Sequence, residues 1–451
     1  MLPAARWLGV ALAAAVVCGA AGADAFTLFG EPPLVSSGQV RSLPFTLFGE
    51  QVTPRLDVDG FLRYQVIGSR LNGVSQGLMA PELSLDVNLQ LTSQQRIHAL
   101  VRPLDQGLLR PTVYQWGGPG DAGWTVRAEG EPSALWYEGQ PFNWLTPRDS
   151  FPLDVSVAGG RLPLFFHNGL WFDSIIDGIA LAKLNLQAGN LSNLNLVYFL
   201  TRGQTQGGTT PVERREERKN VTGLVATGDW YAYHIETSWA VSYDNPTRFA
   251  FQDDLNRNFW GISVTRTFGD GGLSLRLLGS TGNRSRDAGQ LFEVEFAKGF
   301  DGFRVYANGF VGSENWLPVT EQGARTNRLG ILFTADRLLP FPGLRGFAND
   351  SAGGVAGVVL NPKGILTVTP EIGFVKDQSS QHNDQFGGAL QIQADLASLL
   401  MRGTTLQDVN RRGLLYGLLG VLTLVGVENR NDQFGRSRAD YGARLEMIYK
   451  F

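Results

Sequence analysis

Side chains that could do acid–base or metal chemistry are sparse in this chain. It contains only four histidines, which are His98, His167, His234 and His382. No two of them stand at the spacing of a metal site, so each is interpreted as an ordinary solvated or hydrogen-bonded histidine. Asp173 and Asp177 follow His167 closely, but the chain has no serine elbow, phosphate loop, His-Glu-x-x-His motif or calcium loop. We therefore predict no enzymatic activity, no metal and no cofactor.

Charged side chains recur at alternate positions inside apolar runs, which is the spacing of one face of a β-strand. In one such run, Glu293 and Glu295 alternate with Phe292, Val294 and Phe296. A strand of this kind suits the wall of a water-filled membrane barrel, with charges inward and apolar groups toward lipid. The residues predicted to line the channel on this basis are Arg63, Arg127, Glu129, Glu236, Arg276, Glu293, Glu295, Arg304, Arg444 and Glu446. Their mixed sign fits a general or small-solute pore as well as a conduit for a polyanion.

The elements that would carry these charges follow from the length of the alternating runs. Many runs are as long as the roughly 9–11 residues that a tilted strand needs to cross a bilayer. Long polar connections alternate with short turns, and the long ones lie at 68–81, 104–121, 202–219, 244–257, 280–289 and 313–326. This predicts an all-β, transmembrane, antiparallel up-and-down barrel of about 18 strands (16–18), with short periplasmic turns and both termini on that side.

The predicted strands are 55–67, 82–91, 95–103, 122–138, 152–166, 175–187, 193–202, 220–229, 230–243, 257–268, 272–281, 289–298, 302–313, 326–337, 364–376, 385–398, 413–428 and 438–451. Residues 338–363 hold three prolines and many glycines, so we expect a periplasmic connection or a plug there. Residues 399–412 form a second long connection on that side. Residues 414–427 are apolar on both faces, which fits a strand packed against a plug or a buried helix.

The carboxyl terminus carries an apolar row on one face of its last strand, made of Leu445, Met447, Tyr449 and Phe451. This row resembles the closing strand of bacterial outer-membrane barrels, in which a terminal Phe follows an aromatic residue two positions earlier. The resemblance implies that Tyr449 and Phe451 are an assembly signal read by the barrel assembly machinery. It also implies an outer membrane, with its lipid and lipopolysaccharide, as the surroundings of the chain.

The amino terminus has the features of an export signal. One arginine, an apolar run and a small-x-small site at 23–25 predict a signal peptide over 1–25, cleaved before Phe26. The only cysteine, Cys18, would leave with it. Residues 26–54 form a predicted periplasmic arm in which Phe-Thr-Leu-Phe-Gly-Glu occurs twice, and 55–451 form the barrel. The repeat is either a docking element or, as we favour, a recent duplication in a tolerant terminus.

A hairpin motif gives a second resemblance. Gly160-Arg161 ends one predicted strand, Gly169-Leu170-Trp171-Phe172-Asp173 follows, and Asp177-Gly178 opens the next. This is similar to the hairpin of alginate-export porins, an eighteen-stranded family whose lumenal arginines guide an anionic polysaccharide. The resemblance implies that Arg161 lines the channel and that Trp171, Asp173 and Asp177 lie in an outer loop. Strict alternation from Val155 places Arg161 toward lipid, so this role requires a bulge at Gly159-Gly160.

Three functions remain open at this point. The first is an outer-membrane channel for passive passage of a small solute, or for export of an anionic polysaccharide. The second is a plugged structural or docking barrel that holds a periplasmic or extracellular partner. The third is a soluble exported carbohydrate-binding β protein. The net charge of −3 does not indicate a nucleic-acid partner, and the oligomeric state is undetermined.

Overall fold

The computed structural model describes residues 40–41, 45–47, 50–52, 54–92, 94–105, 112–118, 122–127, 132–141, 155–205, 219–244, 256–282, 288–320, 329–333, 339, 341–344, 350–362, 364–378, 383–400, 418–430 and 437–451. The predicted signal peptide and the first copy of the hexapeptide repeat lie outside these residues. The second copy contributes Phe45–Leu47 to a small hairpin with Glu50–Val52.

The strands are β1 Val40–Arg41, β2 Phe45–Leu47, β3 Glu50–Val52, β4 Arg55–Leu71, β5 Val74–Gln90, β6 Gln95–Val101, β7 Val113–Gly117, β8 Gly123–Thr125, β9 Ala134–Gly139, β10 Ser156–Phe166, β11 Phe172–Ala188, β12 Leu191–Thr205, β13 Lys219–Trp230, β14 Tyr233–Asp244, β15 Arg257–Phe268, β16 Gly271–Thr281, β17 Gly289–Phe300, β18 Phe303–Gly312, β19 Ser351–Leu360, β20 Leu366–Asp377, β21 Asp384–Asp395, β22 Leu418–Arg430 and β23 Arg438–Lys450. Two 3-10 turns, His167–Gly169 and Ile331–Phe333, and one short helix, Leu396–Leu400, complete the described elements. No helix among them is long and apolar enough to cross a membrane.

The predicted architecture is confirmed: the chain forms a closed antiparallel barrel with an 18-stranded wall. Pairing runs from β4 through β5, β6 and β9 to β10, then in chain order to β23. Strand β23 pairs back onto β4, with Lys450 opposite Phe61. The backbone of Phe451 adds one more pair of hydrogen bonds to Gly60, at 3.0 and 3.1 Å. We call the end of the barrel where β4 begins and β23 stops the terminal end, and the opposite end the long-loop end.

One predicted strand is wrong, and another segment takes its place in the wall. Residues 326–337 were expected to be a strand, but Ile331–Phe333 is a 3-10 turn. The wall strand is β19, within the segment predicted to be a connection or plug. Its glycines mark close approach rather than a loop, because a side chain at Gly354 would meet the Asn308 carbonyl oxygen at 2.6 Å. The predicted number of strands is still correct, because one predicted strand is absent and one strand that was not predicted takes its place.

A predicted long connection at 68–81 is also wrong. Strands β4 and β5 continue through it and meet at a two-residue turn, Asn72-Gly73, with φ of 53° and 81°. Two residues in the left-handed region form the turn that best joins twisted antiparallel strands, and Asn-Gly is its commonest sequence. The predicted strand 122–138 divides into β8 and β9, of which only β9 belongs to the wall. Residues 418–430 form strand β22, which excludes the buried helix over these positions.

The two faces of the wall differ in burial, and this difference identifies the interior. One face of every long wall strand except β23 contributes buried side chains to a single apolar cluster. A cluster shared by strands all around a closed barrel lies inside it. The other face exposes large apolar side chains such as Ile372, Trp239 and Leu445, as a wall that contacts lipid requires.

Candidate functional site

The long-loop half of the interior is filled by an apolar core. Two segments between wall strands fold inward and pack against the inner face. The buried members of this core that come from the inward segments are Leu170, Trp171, Trp316, Val319, Leu329, Leu332, Phe333, Leu339, Phe341 and Leu344. Because an open water-filled lumen has a polar lining, this half of the barrel is narrowed or closed by its own connections.

The first inward segment is the 3-10 turn between β10 and β11. The ring nitrogens Nδ1 and Nε2 of His167 lie 2.6 and 2.7 Å from the hydroxyl oxygens of Ser263 and Ser238. The backbone N–H of His167 donates to Glu236, and the Asn168 amide donates to Glu295. Burial, with a smaller contribution from Arg276, lowers the pKa of His167 to about 3. The imidazole is therefore neutral and holds the segment to the wall by hydrogen bonds.

Trp171 is buried among aromatic rings within the barrel, close to Phe166 and His167. The prediction that it lies in an outer loop is therefore wrong. Asp173 is already in strand β11, where its N–H donates to Thr320. Asp177 is further along the same strand, so neither aspartate belongs to a loop. The apolar run Leu170-Trp171-Phe172 is the sequence feature that could have predicted that this connection folds into the barrel.

The second inward segment lies between β18 and β19, and its described residues contact several wall strands. Near its start, the N–H of Leu317 donates to the hydroxyl of Ser280 at 3.0 Å. The N–H of Val319 donates to the carbonyl of Trp171 at 2.9 Å, which joins the two inward segments. Further on, Phe341 packs on Gly442, and the Arg444 guanidinium lies 5.0 Å from its ring centre. We call the described residues of the two segments, which the hydrogen bond from Val319 to Trp171 joins, the plug.

Glu371 on β20 is the main polar anchor of the second segment. Its carboxylate accepts the N–H groups of Ile331 and Leu332 at 2.9 and 2.6 Å and the hydroxyl of Tyr306. The carbonyl of Leu329 accepts a bond from Asn308 on β18. A buried carboxylate that satisfies two backbone donors of a turn fixes that turn against the wall.

A ladder of alternating charges crosses the inner face from β23 to β6. Glu82 accepts from both Arg63 and Arg102, and Arg102 lies 2.9 Å from Asp105. On the other side, Arg63 and Arg444 lie 3.6 and 3.5 Å from Glu446. Three arginines face three carboxylates, so the ladder carries no net formal charge.

A second charged cluster lies on β14, β16 and β17, beneath the His167 turn. Arg276 is 2.6 Å from Glu293 and 3.0 Å from Glu295. Glu236 accepts from the turn itself. Two carboxylates share one guanidinium here and Glu236 lies beside them, so the cluster has more acidic than basic groups. Glu236 and Glu295 are partly exposed, whereas Glu293 is buried.

The terminal half of the inner face is polar and open to solvent. Asp59, Asp86, Arg96 and Arg304 are all exposed there. Their strand neighbours on the same face include Asn88 and Gln90, which continue the row of polar side chains on the inner face of β5. Unpaired charges of this kind require water, so this half of the barrel is an aqueous vestibule that ends at the plug.

Most of the predicted lining residues lie on the inner face. These are Arg63, Glu236, Arg276, Glu293, Glu295, Arg304, Arg444 and Glu446. Arg127 follows β8, where its N–H donates to Thr112, and it belongs to no wall strand. Glu129 lies outside the described residues. Glu82 and Arg102 were missed, although Glu82 extends the polar alternation of β5 by one step.

Arg161 requires a correction, since it lies on the outer face. Its register with β9 and β11 is unbroken through Gly159 and Gly160, so no bulge turns it inward. Gly160 has a φ of +127°, but the side chains of β10 still alternate between the two faces on either side of it. Arg161 shares its face with exposed Phe165 and stands 3.7 Å from Asp177 on the neighbouring strand.

Replacing Arg161 with alanine should therefore leave ion selectivity unchanged. The side chain has no access to the lumen through a closed wall, so it cannot contribute to the potential along the path as an inner charge would. The reversal potential in a KCl gradient measures this directly. A shift toward cation preference in the variant would show that Arg161 acts in the lumen after all.

Comparisons with known proteins identify the fold. No family model and no curated protein matches the chain. A BenF-like porin from Pseudomonas fluorescens Pf-5 aligns with a TM-score of 0.54 and 11% identity over 88% of this chain and 98% of the porin. OccK2 (OpdF) of Pseudomonas aeruginosa aligns with a TM-score of 0.52 and 11% identity over 88% and 97%.

Wzi of Escherichia coli, an outer-membrane protein involved in group 1 capsule assembly and a carbohydrate-binding β-barrel, aligns with a TM-score of 0.48 and 12% identity over 87% and 85%. At these identities the likeness to the two porins shows the fold alone. The expected resemblance to outer-membrane porin barrels is confirmed at that level, while the narrower likeness to alginate-export porins is not supported.

Proposed function

We propose that this chain is an outer-membrane channel through which small solutes pass passively along a path narrowed by its own inward segments. The observation that carries this proposal is the polar vestibule in the terminal half of a closed barrel with an apolar outer face. A lumen lined by exposed Asp59, Asp86, Arg96 and Arg304 admits water and small polar solutes up to the plug. The plug then limits the size of what passes.

The charges at the boundary of the plug favour small cations or neutral solutes over a polyanion. The ladder around Glu82 is balanced, and the cluster around Arg276 has more carboxylates than guanidinium groups. Export of an anionic polysaccharide needs a lining rich in Arg and Lys. That finer expectation therefore has less support than passage of a small solute.

The intact protein, reconstituted in a planar bilayer, is expected to show small single-channel steps with a preference for cations. The excess of carboxylates at Glu236 and Glu295 attracts cations to the mouth of the narrow path. The reversal potential in a KCl gradient gives the sign of the preference. Glu295→Gln should weaken it, and the outward-facing Glu428→Gln is the matched control.

A second candidate function is favoured by one observation, the continuous apolar core around the plug. If that core closes the path, the barrel is a structural or docking element that holds a partner. Absence of steps in the intact protein, together with steps in a variant whose plug is released, would establish this second function and overturn the first. Heat-modifiable migration on a gel tests the soluble alternative, since a detergent-embedded barrel migrates differently before and after boiling.

The remaining predictions about surroundings belong to this proposal. Cleavage at 25, recognition of Tyr449 and Phe451 by the assembly machinery, and location in the outer membrane are consistent with a porin-like barrel. Closure of the wall supports the role of the terminal residue, because the backbone of Phe451 bonds to Gly60 beside the last strand pair. Deleting Phe451 would remove that pair and the proposed signal together.

A further inference from the structure

A groove of about 1290 Å³ crosses the outer face of the barrel from β18 to β5. Its floor is formed where glycines leave the wall without side chains. A Cβ atom added at Gly68 or Gly426 would meet nothing within 4 Å, and one at Gly388 would meet only a carbonyl oxygen at 3.9 Å. Ile372 and Leu424 stand beside this floor, with relative exposures of 60% and 40%.

The groove has a direction, which follows from the register of the strands. Ile372 lies opposite Gly388, Gly388 opposite Gly426, and Gly426 opposite Tyr441. Tyr441 in turn lies opposite Arg70. Because the strands are tilted relative to the barrel axis, a line that runs perpendicular to them also advances along that axis. The groove therefore rises from the terminal half at β18 to the long-loop end beside the Asn72-Gly73 turn.

The two ends of the groove differ in chemistry. The lower part is lined by apolar groups, including Val305, Val358 and Leu390. The upper end holds the exposed Arg70 guanidinium, whose Nη1 donates to the Tyr441 hydroxyl at 3.4 Å. An apolar trough that ends in a cation and a phenol has the layout of a lipid with an anionic headgroup.

We infer that this groove seats one phosphate-bearing lipid of the lipid A type, with an acyl chain over Gly388 and Gly426 and a phosphate at Arg70. The groove faces the bilayer, where any space at the wall is filled by acyl chains. The position of Arg70 at the long-loop end selects a lipid of the outer leaflet, because long loops face outward in barrels of this class. Retention depends on both halves of the site, since apolar contact and a charge-assisted hydrogen bond act on one molecule.

Native mass spectrometry of the detergent-solubilised full chain, with added monophosphoryl lipid A, tests this inference. The expected result is one retained lipid per chain. Gly426→Leu places its Cβ in open space and its side chain in the groove, so it should remove the bound species. Arg70→Gln should weaken binding by about tenfold, the size expected for loss of a hydrogen bond to a charged group.

Gly159→Leu is the matched control, because Gly159 also lies on the outer face and a Cβ atom there meets only Ile179 at 3.9 Å. Equal loss of lipid in Gly159→Leu and Gly426→Leu would overturn the inference, as would equal retention in all variants. Preference for phosphatidylethanolamine over lipid A would reject the assigned lipid. A dimer of the intact protein that Gly426→Leu dissociates would show that a second copy occupies the groove. Heat-modifiable migration confirms that each variant is folded, and conductance is not needed for any of these outcomes.

Discussion

Replacing Glu371 with alanine is expected to convert a narrow conductance into a wide one. The variant removes the acceptor for the N–H groups of Ile331 and Leu332 and for the Tyr306 hydroxyl. Each buried donor that loses its partner costs about 1–3 kcal/mol, so the turn at Ile331–Phe333 is held less strongly against the wall. The segment then leaves the wall for part of the time, and the vestibule opens toward the long-loop end.

Single-channel recording measures this change as larger steps or a higher open probability. Glu428→Ala is the control, because that glutamate lies on the outer face and is partly exposed. Glu371→Gln should be intermediate, since an amide oxygen can still accept from one backbone donor. Unchanged steps in Glu371→Ala would show that the apolar contacts alone hold the plug in place.

The second large effect concerns stability. Arg276→Ala leaves Glu293, which is 1% exposed, without the guanidinium that lies 2.6 Å away. Breaking a buried ion pair from one side costs about 3–5 kcal/mol, because the remaining carboxylate stays buried without its cation. We expect the free energy of unfolding in detergent to fall by about that amount, measured from the loss of folded migration with urea.

Two variants separate the buried pair from ordinary surface charge. Arg430→Ala removes an exposed partner of Glu428, with side-chain exposures of 59% and 45%, and should change stability by less than about 1 kcal/mol. Replacing both Arg276 and Glu293 by alanine should cost less than Arg276→Ala alone, because no unpaired charge is left at Glu293. If Arg276→Ala were as stable as the unchanged protein, Glu293 would be uncharged or hydrated in the folded barrel.

The alternation of residue types predicted most of the wall because strand period is a local property. Phe292–Phe296 and Leu273–Leu277 show their inner and outer faces within five residues, and the structure keeps both assignments. Arg161 shows how reliable this local pattern is. Alternation placed it outward, whereas the family resemblance required a bulge to turn it inward, and the local rule was correct.

Predictions from local residue patterns were wrong where glycine occurs both inside strands and in turns. In β19, Gly353 and Gly354 allow neighbouring strands to approach closely, although a glycine-rich sequence of this kind is typical of a loop. In Asn72-Gly73 the same residue type does make a turn, and the dipeptide was a usable signal that the long polar stretch obscured. Glycine content alone does not distinguish these cases, because the difference lies in what the neighbouring strand places beside it.

The sequence by itself determined that the chain is an antiparallel barrel with an apolar outer face, since period-two patterning needs no knowledge of distant residues. Only the tertiary structure decided which connections enter the lumen and which charges meet. Arg63 pairs with Glu446 near the other end of the chain, and Glu371 binds a turn whose residues precede it by about forty positions. Such contacts depend on closure of the barrel, because closure brings the first and last strands together and creates the interior that the inward segments fill.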